Sequence, residues 1–205
     1  ACSNEKYKAL ILTAPSRRLA EAQADPRTYS DAELNAIDAF NRAGGVVILA
    51  GWSDYYENYE AITGNPNAKH MAETQNAVLE KLGAALRIND DATHDDALNG
   101  GQTQRLYFNT YGDSFLTKGV EVDPEHPNDR MYTEVFSHYG GASIYAQGQT
   151  VLADNITGVV YGHSSTYSKD SDGDGKGQIP APKYDVAEGD SRLLIMATET
   201  LPNRG

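Results

Sequence analysis

A single cysteine, Cys2, is all that the sequence holds, so no disulfide can form within the chain. That fits a reducing compartment, and equally a secreted bacterial protein that avoids cysteine. Long apolar runs are missing too. No stretch approaches the ~18 residues that a membrane span needs. Positive charge is scarce: Lys and Arg number 17 against 29 Asp and Glu, for a net charge of -12 and an isoelectric point of about 4.7. Such a field repels phosphate backbones, and no basic cluster exceeds Arg17-Arg18, which disfavours nucleic acid as a partner. The same acidity suits cations. Phe is rare at four, whereas Tyr reaches thirteen. Tyr joins an apolar ring to a polar tip, which suits half-wet platforms for sugars or peptides.

What is present is enough for one domain over 1–205, with 40% hydrophobic residues in a chain of 205. "YKALILT", Tyr7 to Thr13, reads as a strand buried on both faces. "SDAE", Ser30 to Glu33, matches a capping box, and Leu34, Ile37 and Phe40 recur at helical spacing until Gly44 and Gly45. "VVILA", Val46 to Ala50, is short, β-branched and apolar, as a central parallel strand should be. A second helix is expected from about Ala68 to Leu82, with Gly83 as its cap. "AALRI" follows as a strand. This alternation predicts an α/β fold with a mostly parallel sheet and flanking helices. The second half is loop-rich, with strands expected at "RLYFNT", "MYTEVF", "GASIYA", "TGVVYG" and "RLLIMAT". The last two look buried and able to rejoin the sheet.

The sharpest motif is "KDSDGDGKG". Asp170, Asp172, Asp174 and Gly175 give D-x-D-x-D-G, the first half of an EF-hand-type loop. Carboxylates at alternate positions converge on one hard cation, and the glycine permits the sharp turn. Lys176 would add its backbone carbonyl at the seventh position. The twelfth position is Ala181 rather than Glu, so the bidentate ligand must come from elsewhere, with Asp185, Glu188 and Asp190 as candidates. No helical pattern flanks the loop. The expectation is a calcium site (Ca2+) outside an EF-hand fold, set against a solvated acidic turn.

Other polar clusters are less specific. "NDDATHDD" gathers Asp90, Asp91, His94, Asp95 and Asp96, and reads as a solvated acidic loop in preference to a metal site. His138 and His163 each close a strand candidate, where a histidine serves acid-base chemistry or holds a loop. "ACSN" is similar to a bacterial lipoprotein signal junction, but "YKALIL" follows without a tether, which favours a chance terminal cysteine.

"KALILTAP", a capped helix, "AGGVVILAGWSDYYENY" and "HMAETQNAVLEKLGAALRINDDATHDD" together resemble a class I glutamine-amidotransferase-like domain. More closely, they are similar to the version embedded in large bacterial secreted or surface-anchored proteins beside nuclease, nucleotidase or protease modules. The resemblance extends through "RLYFNTY", "YTEVFSHYGGASIYA", "VVYGHSSTYS" and "GDSRLLIMATE". It implies a flavodoxin-like, class I amidotransferase-like parallel sheet, an extracellular or cell-surface setting, and neighbouring modules as partners. Two departures stand out. The turn that holds the family's cysteine nucleophile here reads Gly51-Trp52-Ser53-Asp54, which removes the glutaminase reaction. The family domain also carries a strand before "ALILT" and another after "LLIMAT", so one reading is an internal segment of a longer protein.

Two functions compete. Trp52, Asp54, Tyr55, Tyr56 and His138 would form an aromatic-lined contact site for a small molecule, a carbohydrate or a neighbouring module. In that reading the chain is a non-catalytic, calcium-stabilised accessory domain of a secreted bacterial protein. Alternatively Ser53 acts as nucleophile with His163 as base, or a metal drives hydrolysis. A nucleophile turn wants small flanking residues, and Trp52, Tyr55 and Tyr56 crowd this one, so the accessory reading is favoured.

Overall fold

The computed structural model describes residues 6–14, 28–57 and 70–202. Cys2, Arg17-Arg18 and the expected helix start at Ala68 lie outside the described residues. The first region has the expected order: β1 (Ala9–Leu12), α1 (Asp31–Arg42), β2 (Val46–Leu49) and α2 (Met71–Leu82). Ser30 and Glu33 cap α1 reciprocally, with Glu33 N–H on Ser30 Oγ at 3.3 Å and Ser30 N–H on Glu33 Oε2 at 2.8 Å. Gly83 closes α2 at φ 75, a left-handed geometry that glycine adopts without penalty. Strands β1 and β2 pair in parallel, from Ala9 opposite Val46 to Leu12 opposite Leu49. Leu10, Leu12, Val47 and Leu49 turn inward onto Ile37, Val78 and Leu82 of the helices. The opposite face is bare among the described residues: Ile11 is 65% exposed and Val46 57%. These strands are therefore covered on one face, not two.

The parallel pairing stops there, and the expectation of a mostly parallel, flavodoxin-like or class I amidotransferase-like sheet is overturned. The remaining strands are β3 (Leu86–Ile88), β4 (Ala92–His94), β5 (Arg105–Phe108), β6 (Thr110–Tyr111), β7 (Phe136–Tyr139), β8 (Ile144–Ala146), β9 (Ile156–Tyr161), β10 (Tyr167–Lys169), β11 (Lys183–Ala187) and β12 (Asp190–Glu199). The largest sheet runs β3-β8-β12-β9-β6, with β11 also on β12, and every pairing in it is antiparallel. Two smaller antiparallel pairs join β4 to β10 and β5 to β7. The reason is connectivity. A parallel neighbour requires a crossover of a dozen or more residues, usually a helix, and among the described residues no α-helix follows α2. Strand β3, which the alternation assigns to the parallel set, bonds β8 instead.

Strand β12 is the spine of this half. Successive side chains alternate between faces. Leu193 and Ile195 enter one core with Leu106, Phe108 and Val159. Leu194 enters the other with Leu86, Ile156 and Tyr184. Of "MYTEVF", only the final Phe136 lies in a strand. The two halves meet where Gly51, after β2, lies against β3: a Cβ on Gly51 would sit 2.5 Å from Ile88 Cγ2.

Candidate metal centre

Three segments converge at that junction. The first is the turn after β2. Its backbone is stitched to the antiparallel half by Ser53 N–H to Gly140 O at 3.1 Å and Asp54 N–H to Asp91 O at 3.2 Å. Trp52 stacks on Tyr56, with ring centroids 4.5 Å apart, and Tyr56 is buried beneath Gly140, where a Cβ would meet its ring at 2.7 Å. This anchoring drives the next side chain inward, and Asp54 is only 1% exposed.

The second segment follows β3. Asp91 is wholly buried and accepts from both Ser143 N–H and Ser143 Oγ–H at 2.7 Å. Asn89 binds the backbone of Gln178 in both directions, at 2.8 and 3.0 Å. That pair docks the third segment, the 170–177 loop between β10 and β11. Gly177 is required at the docking point: its φ is +75, and a Cβ would sit 2.4 Å from Asp90 O. Within the loop, Asp170 accepts from Gly173 N–H at 2.7 Å and Gly175 N–H at 3.0 Å. Asp174 accepts from Lys176 N–H at 2.8 Å.

The acidic side chains gather into two groups that could each hold a metal ion. Asp54, Asp170 and Asp172 form one, and His70, Asp172 and Asp174 the other; within each group the ligand atoms lie within 4.8 Å of one another. Two of these oxygens decide how the clusters are read. Asp54 Oδ2 accepts from Ser171 N–H at 2.6 Å, but the buried Asp54 Oδ1 has no partner. Asp172 Oδ2 likewise has none, in a side chain only 3% exposed. Buried carboxylate oxygens are normally satisfied. Without a cation, burial and neighbouring carboxylates raise the Asp54 pKa to about 8 and push Asp172 up as well. The donor set therefore fits a cation, which would restore both groups to their ionised form.

Asp170 and Asp174 each join Asp172, but in different groups, so the single three-carboxylate site that the spacing implies is divided between two. Lys176, expected to offer its carbonyl, also brings its ammonium to within 3.4 Å of Asp174 Oδ2. Two of the three carboxylates proposed for the missing ligand are engaged elsewhere: Asp185 accepts from the Ser191 hydroxyl, and Asp190 pairs with Arg192 at 2.9 Å. Glu188 joins neither group. Asp54 comes in from the other half instead. His70 is the residue that sequence reasoning missed. It begins α2, it is fully buried, and nothing in "KHMAET" marks it as a ligand.

Ser53 and His163 are joined by no hydrogen bond. His163 sits beyond Phe108, its Nε2 3.1 Å from Tyr107 O, and burial lowers its pKa. His138 lies on Phe108 as well, with Nε2 2.7 Å from Thr93 Oγ1, and burial lowers its pKa to about 4. Ser53 instead shares a cavity of about 130 Å³ with Tyr55, His94, Gln104, Lys169 and Ser171. An open groove of about 580 Å³ along residues 109–122 contains no unpartnered buried polar side-chain atom. Comparison with family models, curated proteins and solved structures finds no match to the chain, and so identifies no amidotransferase-like domain.

Proposed function

We infer that the chain is a calcium-stabilised, non-catalytic binding domain of a secreted bacterial protein. The observation that carries this reading is the buried Asp54, whose unpartnered oxygen lies with Asp170 and Asp172. A cation there ties the turn after β2 to the 170–177 loop. Hard carboxylate oxygens on a turn of this kind suit Ca2+, which takes six to eight oxygens in flexible geometry, better than Mg2+, which dehydrates reluctantly. The neighbouring surface is the place for a ligand: Trp52 is half-buried and Tyr55 is 52% exposed. Aromatic faces of this sort take a sugar ring or an apolar side chain of a neighbouring module.

The test follows Trp52 fluorescence in chelator-stripped protein as Ca2+ or Mg2+ is added. The expected result is a saturable change with Ca2+ at concentrations well below those needed for Mg2+. No saturable response to either ion, together with no calorimetric binding, contradicts the reading.

One observation favours a second reading. Ser53 and His94 line the same cavity, and Ser53 Oγ and His94 Nε2 are both buried without a partner. A serine hydrolase would use such a pair, with His94 in the role the sequence suggests for His163. Labelling of Ser53 by a fluorophosphonate would support it, and absence of labelling leaves the binding domain.

A further inference from the structure

The second group, His70 with Asp172 and Asp174, differs in kind from the first because it contains an imidazole. The His70 ring is fully buried and flanked by carboxylates at both nitrogens. Nδ1 lies 3.0 Å from Asp90 Oδ2, and Nε2 lies 3.1 Å from Asp174 Oδ2. Nε2 is also in hydrogen-bond contact with the Lys176 ammonium. An ammonium can only donate, so Nε2 accepts, which leaves the ring proton on Nδ1, 3.0 Å from Asp90 Oδ2 but outside hydrogen-bonding geometry. A metal-binding histidine likewise keeps one nitrogen unprotonated with a carboxylate near the other, and a small rotation of the ring would bring Asp90 into that role. Independent of the acidic cluster as such, Asp172 Oδ2 lies buried and unpartnered, 4.0 Å from Nδ1 on the other side of this ring.

We propose that His70, Asp172 and Asp174 form a second cation site, of mixed imidazole and carboxylate donors, that takes a zinc-type divalent ion and that Lys176 caps when the ion is absent. An imidazole favours Zn2+, Co2+ or Ni2+ over Ca2+ and Mg2+. Three protein ligands leave a fourth position for water. Lys176 serves as an internal counter-cation. Its side chain is 47% exposed, so it can swing into solvent when a metal ion takes its place on Nε2. The site shares Asp172 with the all-oxygen group and is otherwise separate, so one carboxylate would bridge two cations of different chemistry.

Co2+ is the probe, added to protein kept in excess Ca2+ and read by its visible d–d absorption and by calorimetry. One equivalent should bind with the intense bands of a low-coordinate, nitrogen-containing site. Lys176→Ala should bind Co2+ more tightly, because the competing ammonium is gone. Asp90→Asn should weaken binding by about tenfold or more, as loss of a carboxylate behind a ligating histidine does. Asp174→Asn and His70→Gln should remove the bands. Asp174 is partly exposed, so its variant keeps the question open to test should the His70 variant fail to fold. Asp170→Asn, confined to the oxygen group, should weaken Ca2+ and leave the cobalt bands, which separates this proposal from the calcium reading. It is overturned by absence of the bands in both the native protein and Lys176→Ala, or by bands that survive Asp174→Asn unchanged.

Discussion

Two acidic segments, 90–96 with four Asp and 170–176 with three Asp and Lys176, treat their buried carboxylates differently in this fold. In the first, burial works to raise the Asp95 pKa, yet Leu98 N–H, Ser165 hydroxyl, Ala97 N–H and Thr166 hydroxyl all donate to it and the net effect is downward. Asp91 also accepts two bonds from Ser143, although its deeper burial still raises its pKa to about 6. In the second, Asp172 is buried with an oxygen that no donor reaches, and Asp54 joins it in the same condition. The contrast is one of donors and lies between individual carboxylates, Asp91 and Asp95 against Asp172 and Asp54, since Asp90 Oδ1 in the first segment is also buried without a partner. A carboxylate supplied with hydrogen-bond donors is a structural strut, and one buried without them calls for a cation.

The comparison is tested most severely on the strut. Asp95→Ala orphans four donors at about 1 kcal/mol each, so it should cost at least about 3 kcal/mol and lower Tm by roughly 6–12 °C. The loss should be the same in chelator and in calcium; a loss seen only in calcium would place Asp95 on the cation side. The cation segment should show the converse. Chelation of the native protein should lower Tm by roughly 5–10 °C, the worth of a ligand at about a hundredfold over Kd. Asp172→Ala combined with Asp174→Ala should abolish that response.

A smaller, pH-dependent effect comes from His138, whose Nε2 lies against Thr93 of the first segment. His138 titrates near 4 when folded, because burial lowers it from its ordinary 6.5. Between those values the unfolded chain holds a proton that the folded chain does not. His138 therefore contributes fully above pH 6.5, and its contribution falls as pH drops toward 4, by about 2 kcal/mol at pH 5. The stability difference between the native protein and His138→Gln, measured in chelator at pH 7 and pH 5, isolates this from Asp54 and Asp172, whose raised pKa values act in the opposite direction. Least of all, Gly177→Ala should cost about 1–2 kcal/mol through its left-handed backbone and weaken calcium binding, because the loop loses its seat on Asp90.

The sequence made parts of this legible where the signal was local. The Ser30–Glu33 cap, the Gly83 stop and the D-x-D-x-D-G turn each depend on neighbours a few residues away, and each is present. Strand order was not local. The strand–helix alternation was real, but whether β3 pairs with β2 or β8 depends on connections far along the chain. The segments at β4, β10 and β11 were too short or too polar to register as strands. "DDATHDD" looked solvated because its donors, Ser143, Ser165 and Thr166, lie some 50 to 70 residues away. Asp54 stood out as a pocket residue and not as a cation ligand for the same reason: its partners arrive from residues 170–172.

The central claim is that a cation joins the turn after β2 to the 170–177 loop through Asp54. Thermal unfolding of the native protein and of Asp54→Asn, each in chelator and in calcium, tests it most directly. Asparagine keeps the shape and removes the charge. In chelator the variant should melt at or above the native protein, since asparagine can keep the bond from Ser171 N–H while the oxygen that no donor reaches is relieved. In calcium the native protein should gain roughly 5–10 °C, and the variant should gain nothing. A variant that gains as much from calcium as the native protein would contradict the account.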